Sequence, residues 1–216
     1  MDKESLIVNE IFFSIQGESS YCGQPCAFVR LTACNLRCSY CDTEYAFYEG
    51  DKRSVQDVVA EIKKFRCSLV EITGGEPLLQ PAVHGLISRF LTLGKTVLIE
   101  TSGSVDISPV DARAILIYDI KCPDSGMEDR NRWENIGLLK PIDEVKFVVG
   151  SKEDYEWSKC IIEKYQLVDR HQVLFSPVFG KIKPKELATW LLEDSLNARL
   201  QIQLHKLLWS PQTRGV

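Results

Sequence analysis

A chain of 216 residues, 44% hydrophobic and 26% charged, has the bulk for one α/β domain with a real core. Its net charge of −4 lacks the basic balance of a nucleic-acid surface, and no stretch approaches the roughly 18 uncharged apolar residues of a membrane span. Met1-Asp2-Lys3-Glu4-Ser5 has no basic segment leading into a long apolar run, so no signal peptide is expected; eight cysteines then point to metal or reduced thiols rather than disulfides.

Ile7 to Phe13 is extended and partly alternating, which predicts a strand. It runs into Ser14-Ile15-Gln16-Gly17-Glu18, a polar loop that continues through residues 19–25 with Gly23 and Pro25 as punctuation. Ala27-Phe28-Val29-Arg30-Leu31 is a short apolar run fit for a buried strand. Arg30 interrupts it. A guanidinium there is either edge-exposed or paired with a buried anion, and the second is expected because the strand leads straight into the next motif.

That motif is Cys34-Asn35-Leu36-Arg37-Cys38-Ser39-Tyr40-Cys41, spaced C-x3-C-x2-C. Three thiolates in one short loop can grip three corners of a four-iron cluster, for which a full protein set is four cysteines. One iron then keeps an open position, which separates reactive metal sites from structural ones. Two other readings stay open: a four-ligand zinc site recruiting Cys22 or Cys26, and cysteines buried as small apolar side chains.

Ser54-Val55-Gln56-Asp57 opens a helix with a cap-like pattern, and Val58, Val59, Ile62 and Phe65 mark its apolar face. Ser68 to Thr73 is a strand, followed at once by Gly74-Gly75-Glu76-Pro77. Two glycines let backbone approach a ligand closely, and Glu76 can accept a hydrogen bond from an ammonium group; the pair can equally just turn strand into helix. Val83, Leu86, Ile87, Phe90 and Leu91 build a second amphipathic helix, closed near Gly94. Further strands are expected at Lys95–Glu100, Ala114–Ile120, Glu144–Val149, Gln172–Phe175 and Leu200–Leu204, and helices at 152–166 and Lys185–Asp194. Residues 124–141 are charged and carry one short helix around Trp133; a tail runs from His205 to Val216.

Strands alternating with helices predict parallel β-α-β units with right-handed crossovers. The cysteine loop, Gly-Gly-Glu-Pro, Thr101-Ser102-Gly103, Asp119 to Lys121, Ser176-Pro177 and His205-Lys206 all fall at or just after the C-terminal ends of strands. In a β/α barrel those ends share one face, where sites form. The chain is shorter than the ~250 residues of a complete eightfold barrel. An incomplete, open parallel β/α barrel, a single domain over 1–216, is therefore expected.

The residues also carry a resemblance. Ser14-Ile15-Gln16-Gly17-Glu18, Phe28-Val29-Arg30-Leu31, Cys34-Asn35-Leu36-Arg37-Cys38, Cys41-Asp42-Thr43, Gly74-Gly75-Glu76-Pro77, Glu100-Thr101-Ser102-Gly103 and Gln203-Leu204-His205-Lys206 span nearly the whole chain. Together they resemble the 7-carboxy-7-deazaguanine synthase family of the radical S-adenosylmethionine (radical SAM) superfamily. The resemblance implies the open barrel of the radical SAM type. It also implies a lyase of queuosine and deazapurine biosynthesis, converting 6-carboxy-5,6,7,8-tetrahydropterin to 7-carboxy-7-deazaguanine with loss of ammonia.

Carried over residue by residue, it places a [4Fe-4S] cluster on Cys34, Cys38 and Cys41. SAM lies against Tyr40, Cys41, Asp42, Glu76, Gly103, Asp119, Ile120, Lys121, Ser176, Pro177, Val178 and Phe179. Mg²⁺ meets Thr43, whose residue-level alternative is a local turn hydrogen bond. Ile15, Gln16, Gly17, Arg30, Thr101 and Pro211 touch substrate; the planar fork of Arg30 suits a carboxylate. No side chain is assigned a catalytic role, because cluster and SAM generate the radical. The resemblance further implies a cytoplasmic homodimer with a flavodoxin or ferredoxin as electron donor, and neither nucleic acid nor membrane as partner. A radical SAM activase acting on a partner protein is the alternative. Two departures from the family pattern bear on loop geometry: Ser19 and Ser20 follow the Gln-Gly-Glu run in place of the usual glycine, and Ala33 replaces a common glycine before the first ligand cysteine.

Overall fold

The computed structural model describes residues 4–216, so the absence of a leader, read from Met1 to Ser5, falls mostly outside the described residues. β1 (Ser5–Ile15) and β2 (Pro25–Leu31) form an antiparallel pair, and β3 (Asp51–Ser54) adds antiparallel to β1. This corrects the all-parallel expectation at the N-terminus. Residues 16–24 are too short for a crossover, which needs about a dozen residues or more, so the chain can only turn back. From β2 onward the pairing is parallel, through β4 (Leu69–Gly74), β5 (Thr96–Thr101), β6 (Ile115–Ile120), β7 (Glu144–Val149), β8 (Gln172–Pro177) and β9 (Arg199–Leu200). The order β3-β1-β2-β4-β5-β6-β7-β8-β9 leaves β3 and β9 as edges: the sheet has nine strands and does not close.

Helices α1 (Val55–Ile62), α2 (Val83–Thr92), α3 (Lys152–Tyr165), α4 (Leu167–Arg170), α5 (Pro184–Glu193) and α6 (His205–Leu208) intervene. Their ends follow local chemistry. The Ser54 hydroxyl accepts from the Asp57 amide at 3.0 Å to cap α1, and Ser151 does the same for α3 with Asp154 at 3.1 Å. Pro184 opens α5, where the Glu186 carboxylate accepts from the Lys183 amide at 2.9 Å. Val58 and Ile62 of α1 are buried as expected, while Phe65 lies beyond the helix end and packs against the core from there. Between 124 and 141, the helix around Trp133 is a 3₁₀ segment, Trp133–Leu138. No helix among the described residues is long and apolar enough to cross a membrane.

Period-two alternation divides the parallel strands between two faces. Toward the helices point Val29 and Leu31, Val70 and Ile72, Val97 and Ile99, Leu116, Tyr118 and Ile120, Val145 and Phe147, Val173 and Phe175, all in one apolar core. Burying each such side chain stabilises the fold by roughly 1.5–3 kcal/mol. The opposite face splits along the strand direction. At the N-terminal ends it is apolar, with Cys26, Phe28, Leu69 and Leu98 in a second small cluster. At the C-terminal ends it turns polar, presenting Arg30, Glu71, Thr73, Glu100, Asp119, Lys146 and Ser176; Arg30 pairs in register with Thr73 and Asp119 with Lys146, while the others stand at neighbouring levels along the strands.

The strand expected at Leu200–Leu204 shrinks to Arg199–Leu200. The Gln201 amide still donates to the Phe175 carbonyl at 2.8 Å, but by Leu204 the amide donates instead to the Gly17 carbonyl at 3.1 Å. The chain has left the sheet edge to cross toward the β1–β2 loop.

Candidate active site

The polar ends of the strands surround a cavity of about 620 Å³, within the usual range for small-molecule sites. The cysteine loop forms one wall. It is pinned from three sides. Leu36 is buried beneath it, and the Asn35 amide donates to the Ser104 hydroxyl at 3.0 Å. The Ser39 amide donates to the Ser125 carbonyl at 2.9 Å, its hydroxyl to the Asp124 carbonyl at 2.6 Å, and the Tyr40 hydroxyl to the Val148 carbonyl at 3.1 Å. Cys34, Cys38 and Cys41 are thereby held half-buried on the cavity lining.

Burial pushes all three thiols above their ordinary pKa, with Lys121 opposing the shift at each. Metal uptake here must therefore release protons. Among the described residues no three His, Cys, Asp or Glu side chains converge on one ion. A four-iron cluster needs no such convergence, because it offers each cysteine its own iron. Cys26 is fully buried in the small apolar cluster and Cys22 is exposed with its thiol against the Gly17 carbonyl at 3.5 Å, so neither completes a zinc set. The donor chemistry fits the cluster.

The opposite wall fits a polar cofactor. The Asp119 carboxylate accepts from Lys121 Nζ through Oδ2 at 2.7 Å, while its buried Oδ1 and the buried Ser176 hydroxyl have no protein partner. Both residues line the cavity, and orphaned polar atoms in such a place are satisfied by a ligand or water. Tyr40, Asp42, Pro177, Val178 and Phe179 line it as well.

Ile120, Gly103 and Glu76, also expected near SAM, pack beside this lining. Ile120 alternates onto the helix-facing side and is buried in the core. Gly103 packs on the Tyr118 ring, whose hydroxyl donates to the Gly103 carbonyl at 3.2 Å. Glu76 is wholly enclosed. Its carboxylate accepts from the Leu78 amide at 3.0 Å, the Thr101 hydroxyl at 3.0 Å, and the Ser102 amide and hydroxyl at 2.7 and 2.6 Å. These bonds brace the end of β5 against the Gly-Gly loop. What faces the cavity is the backbone of Gly74 and Gly75. A Cβ on Gly74 would stand 2.1 Å from the Leu31 carbonyl oxygen and one on Gly75 2.2 Å from that of Ala33, so the glycines let this loop press against the cysteine loop.

Of the expected substrate contacts, Ile15, Gln16, Gly17, Arg30, Thr101 and Pro211 all line the cavity. Arg30 has the anionic partner expected of it: its Nε donates to Glu10 Oε1 at 2.7 Å. The Thr101 hydroxyl is committed to Glu76. The Thr43 hydroxyl faces the cavity mouth and donates to Asp42 at 2.9 Å, the local bond that its residue-level alternative describes.

The floor holds a charge network that motif matching missed. Lys146 Nζ donates to Glu18 Oε2 at 2.8 Å and to Glu100, and Gln16 Nε2 donates to Glu71. Gln203 Nε2 bridges Glu18 at 2.9 Å and Asp42 at 3.1 Å, and Lys206 Nζ reaches Asp42 at 2.7 Å. Burial pushes Glu18 up, but the charge and hydrogen bond of Lys146 outweigh it and hold this carboxyl below its usual range. Glu100 is raised by burial despite Lys146. Burial and the charge of Glu100 push Glu71 up to about 8. The signal was in the sequence: a lysine in Val145-Lys146-Phe147 and glutamates in Val70-Glu71-Ile72 and Ile99-Glu100 interrupt apolar strands on one alternating face.

Sheet, cysteine loop and cavity define a radical SAM protein, and the family model described as "Radical SAM superfamily" matches residues 29–166. A crystal structure of QueE from Escherichia coli superposes with a TM-score of 0.77 at 23% identity, covering 93% of this chain and 95% of that one. Streptococcus suis SuiB superposes less fully, at 0.55 over 79% of this chain and 46% of that one. A 7-carboxy-7-deazaguanine synthase of Koribacter versatilis is 45% identical over 97% of this chain and 99% of its own, and one of Chlorobaculum tepidum 44% over 98% and 97%. The chain belongs to the 7-carboxy-7-deazaguanine synthase family.

Proposed function

We propose that the chain is a lyase that converts 6-carboxy-5,6,7,8-tetrahydropterin into 7-carboxy-7-deazaguanine and ammonia, in queuosine and deazapurine biosynthesis. The observation that carries this is the trio of half-buried cysteines on one pinned loop, opening onto a cavity whose far wall keeps two polar atoms unpartnered. Cys34, Cys38 and Cys41 hold the cluster. Tyr40, Asp42, Asp119, Lys121 and Ser176 to Phe179 hold SAM, and the Thr43 hydroxyl serves Mg²⁺, a hard cation that accepts few protein oxygens. When bound, the reduced cluster and SAM supply a 5′-deoxyadenosyl radical to abstract a substrate hydrogen.

The chain's own residues bind, orient and enclose. Arg30 spends its Nε on Glu10 and turns the rest of its guanidinium to the cavity, where it pairs the pterin carboxylate. Gln16 and Gly17 border the ring, and Pro211 closes over it, excluding water from a reactive intermediate. The cavity suits a small molecule rather than the extended groove an activase needs. The family resemblance supports a single cytoplasmic domain acting as a homodimer and reduced by a flavodoxin or ferredoxin. The test is anaerobic reconstitution followed by incubation with SAM, reductant, Mg²⁺ and the carboxypterin. About four irons and four sulfides per chain with deazapurine detected by mass are expected; one tightly held zinc, or SAM cleavage without deazapurine, would refute the assignment.

A further inference from the structure

The cavity floor carries three carboxylates and one ammonium to which no role has been given. Lys146 turns its charge to Glu18 and Glu100. Glu71 is left with the Gln16 amide as its hydrogen-bond donor, at 5% exposure. Its register partner on β5 is Leu98, so Glu100 stands two residues further along the adjacent strand on the same face. An ionised carboxylate buried beside a second one, with the nearby cation engaged elsewhere, is costly, and the site resolves this by keeping a proton on one of them. The groups facing Glu71 agree. Cys26 on β2 is kept a neutral thiol by burial, Glu100 lies on β5, Glu18 and Gln16 on the β1–β2 loop, and Lys146 on β7. Two carboxylates of one floor are thus driven apart, Glu18 ionised and Glu71 protonated near neutrality, a pattern that separates acid from base roles.

The reaction needs such a donor. Carboxytetrahydropterin and the deazaguanine plus ammonia contain the same atoms, so the conversion is redox-neutral overall. As the carbon–nitrogen bond breaks, its electron pair leaves with nitrogen, and that nitrogen takes up one proton to depart as ammonia. One proton leaves a ring carbon when the five-membered ring becomes aromatic. We propose that Glu71 donates the proton to the departing nitrogen. The carboxylate so formed recovers a proton from the aromatising ring, and the residue ends as it began. This inference rests on the reaction proposed above, and it adds a catalytic residue to a pocket otherwise assigned to binding.

The test measures ammonia and deazapurine formation by reconstituted enzyme across pH 6 to 10, for wild type, Glu71→Gln and Glu71→Asp, beside equilibrium binding of the carboxypterin without SAM. Glutamine keeps an oxygen for the Gln16 amide but carries no acidic proton. Wild type is expected to lose rate as pH rises through the alkaline side of neutrality, because the donor must be protonated. Glu71→Gln is expected to fall about 10²- to 10³-fold, to lose that alkaline limb and to bind substrate within about threefold of wild type. Glu71→Asp keeps the limb at reduced rate. Glu71→Gln at the wild-type rate, slowed with the limb intact, or slowed only in proportion to lost binding, overturns the inference. A wild type that makes no deazapurine at any pH overturns the underlying reaction and the inference with it.

Discussion

Ala33 and Ser19 stand where the family pattern has glycine, and both hold left-handed backbone, with φ of 81° and 61°. A non-glycine residue there costs about 1–2 kcal/mol. Ala33 keeps that conformation because its amide donates to the Ala46 carbonyl at 2.9 Å and its carbonyl accepts from the Glu76 amide at 2.8 Å. Ala33→Gly relieves the strain and gives back part of the gain as chain entropy, so denaturant unfolding of the metal-free protein should show a gain of about 0.5–1 kcal/mol; a loss would mean the φ is not strained. Glu71 makes the opposite trade at residue scale. Its folded pKa of about 8 lies above the ordinary 4.5, so the folded chain holds a proton that the unfolded chain releases between those values. Stability from this group is full below about pH 4.5 and is lost as pH rises through about 8. Unfolding free energy of wild type relative to Glu71→Gln should therefore decline across that window, by a few kcal/mol at most; a flat difference would show that Glu71 ionises normally. Period two made such residues legible, since a glutamate or lysine inside an apolar strand must face a cavity or a partner. It also explains why the side chain of Ile120 lies in the core between Asp119 and Lys121, which face the cavity. The commitment of Glu76 to Thr101 and Ser102 was not legible, because it depends on how two loops approach in space.

At the scale of elements, the parallel half of the sheet followed from alternating strands and helices. The N-terminal pairing did not, because an extended run of apolar residues carries no mark of direction; only the short β1–β2 connection excludes a parallel partner. The cysteine loop is the element on which function turns, and its position depends on the loop after β4. Gly74 sits at a φ of 137°, and an added Cβ would meet three backbone atoms of Leu31 within 2.8 Å. No side-chain rotation can absorb that clash. Gly74→Ala should part β4 from the end of β2, cost more than about 2 kcal/mol, and reduce iron and sulfide uptake on anaerobic reconstitution. Full uptake at wild-type stability would show that the two loops do not need this contact.

At the scale of the whole molecule, an open sheet leaves its cavity unclosed on one side, and residues 201–216 cross that side. Their attachments weaken along the chain. Lys206 holds Asp42 with its own side chain only 8% exposed, and Gln203 ties the same carboxylate to Glu18. Beyond α6, Pro211, Gln212 and Val216 line the cavity, held by Arg214, which pairs with Glu49 at 2.8 Å and lies 3.7 Å over the Tyr45 ring. Both partners of that ion pair are about half exposed, so it is worth no more than about 1 kcal/mol, and the ring contact about the same. A closure so weakly latched can open for substrate without disturbing the sheet. Arg214→Ala should therefore leave the melting temperature within a few degrees of wild type, speed proteolytic cleavage beyond Trp209, and raise KM for the carboxypterin several-fold with a smaller change in kcat. If the variant instead melts far below wild type, the tail is part of the folded core; if KM and cleavage both stay put, Arg214 does not fasten it.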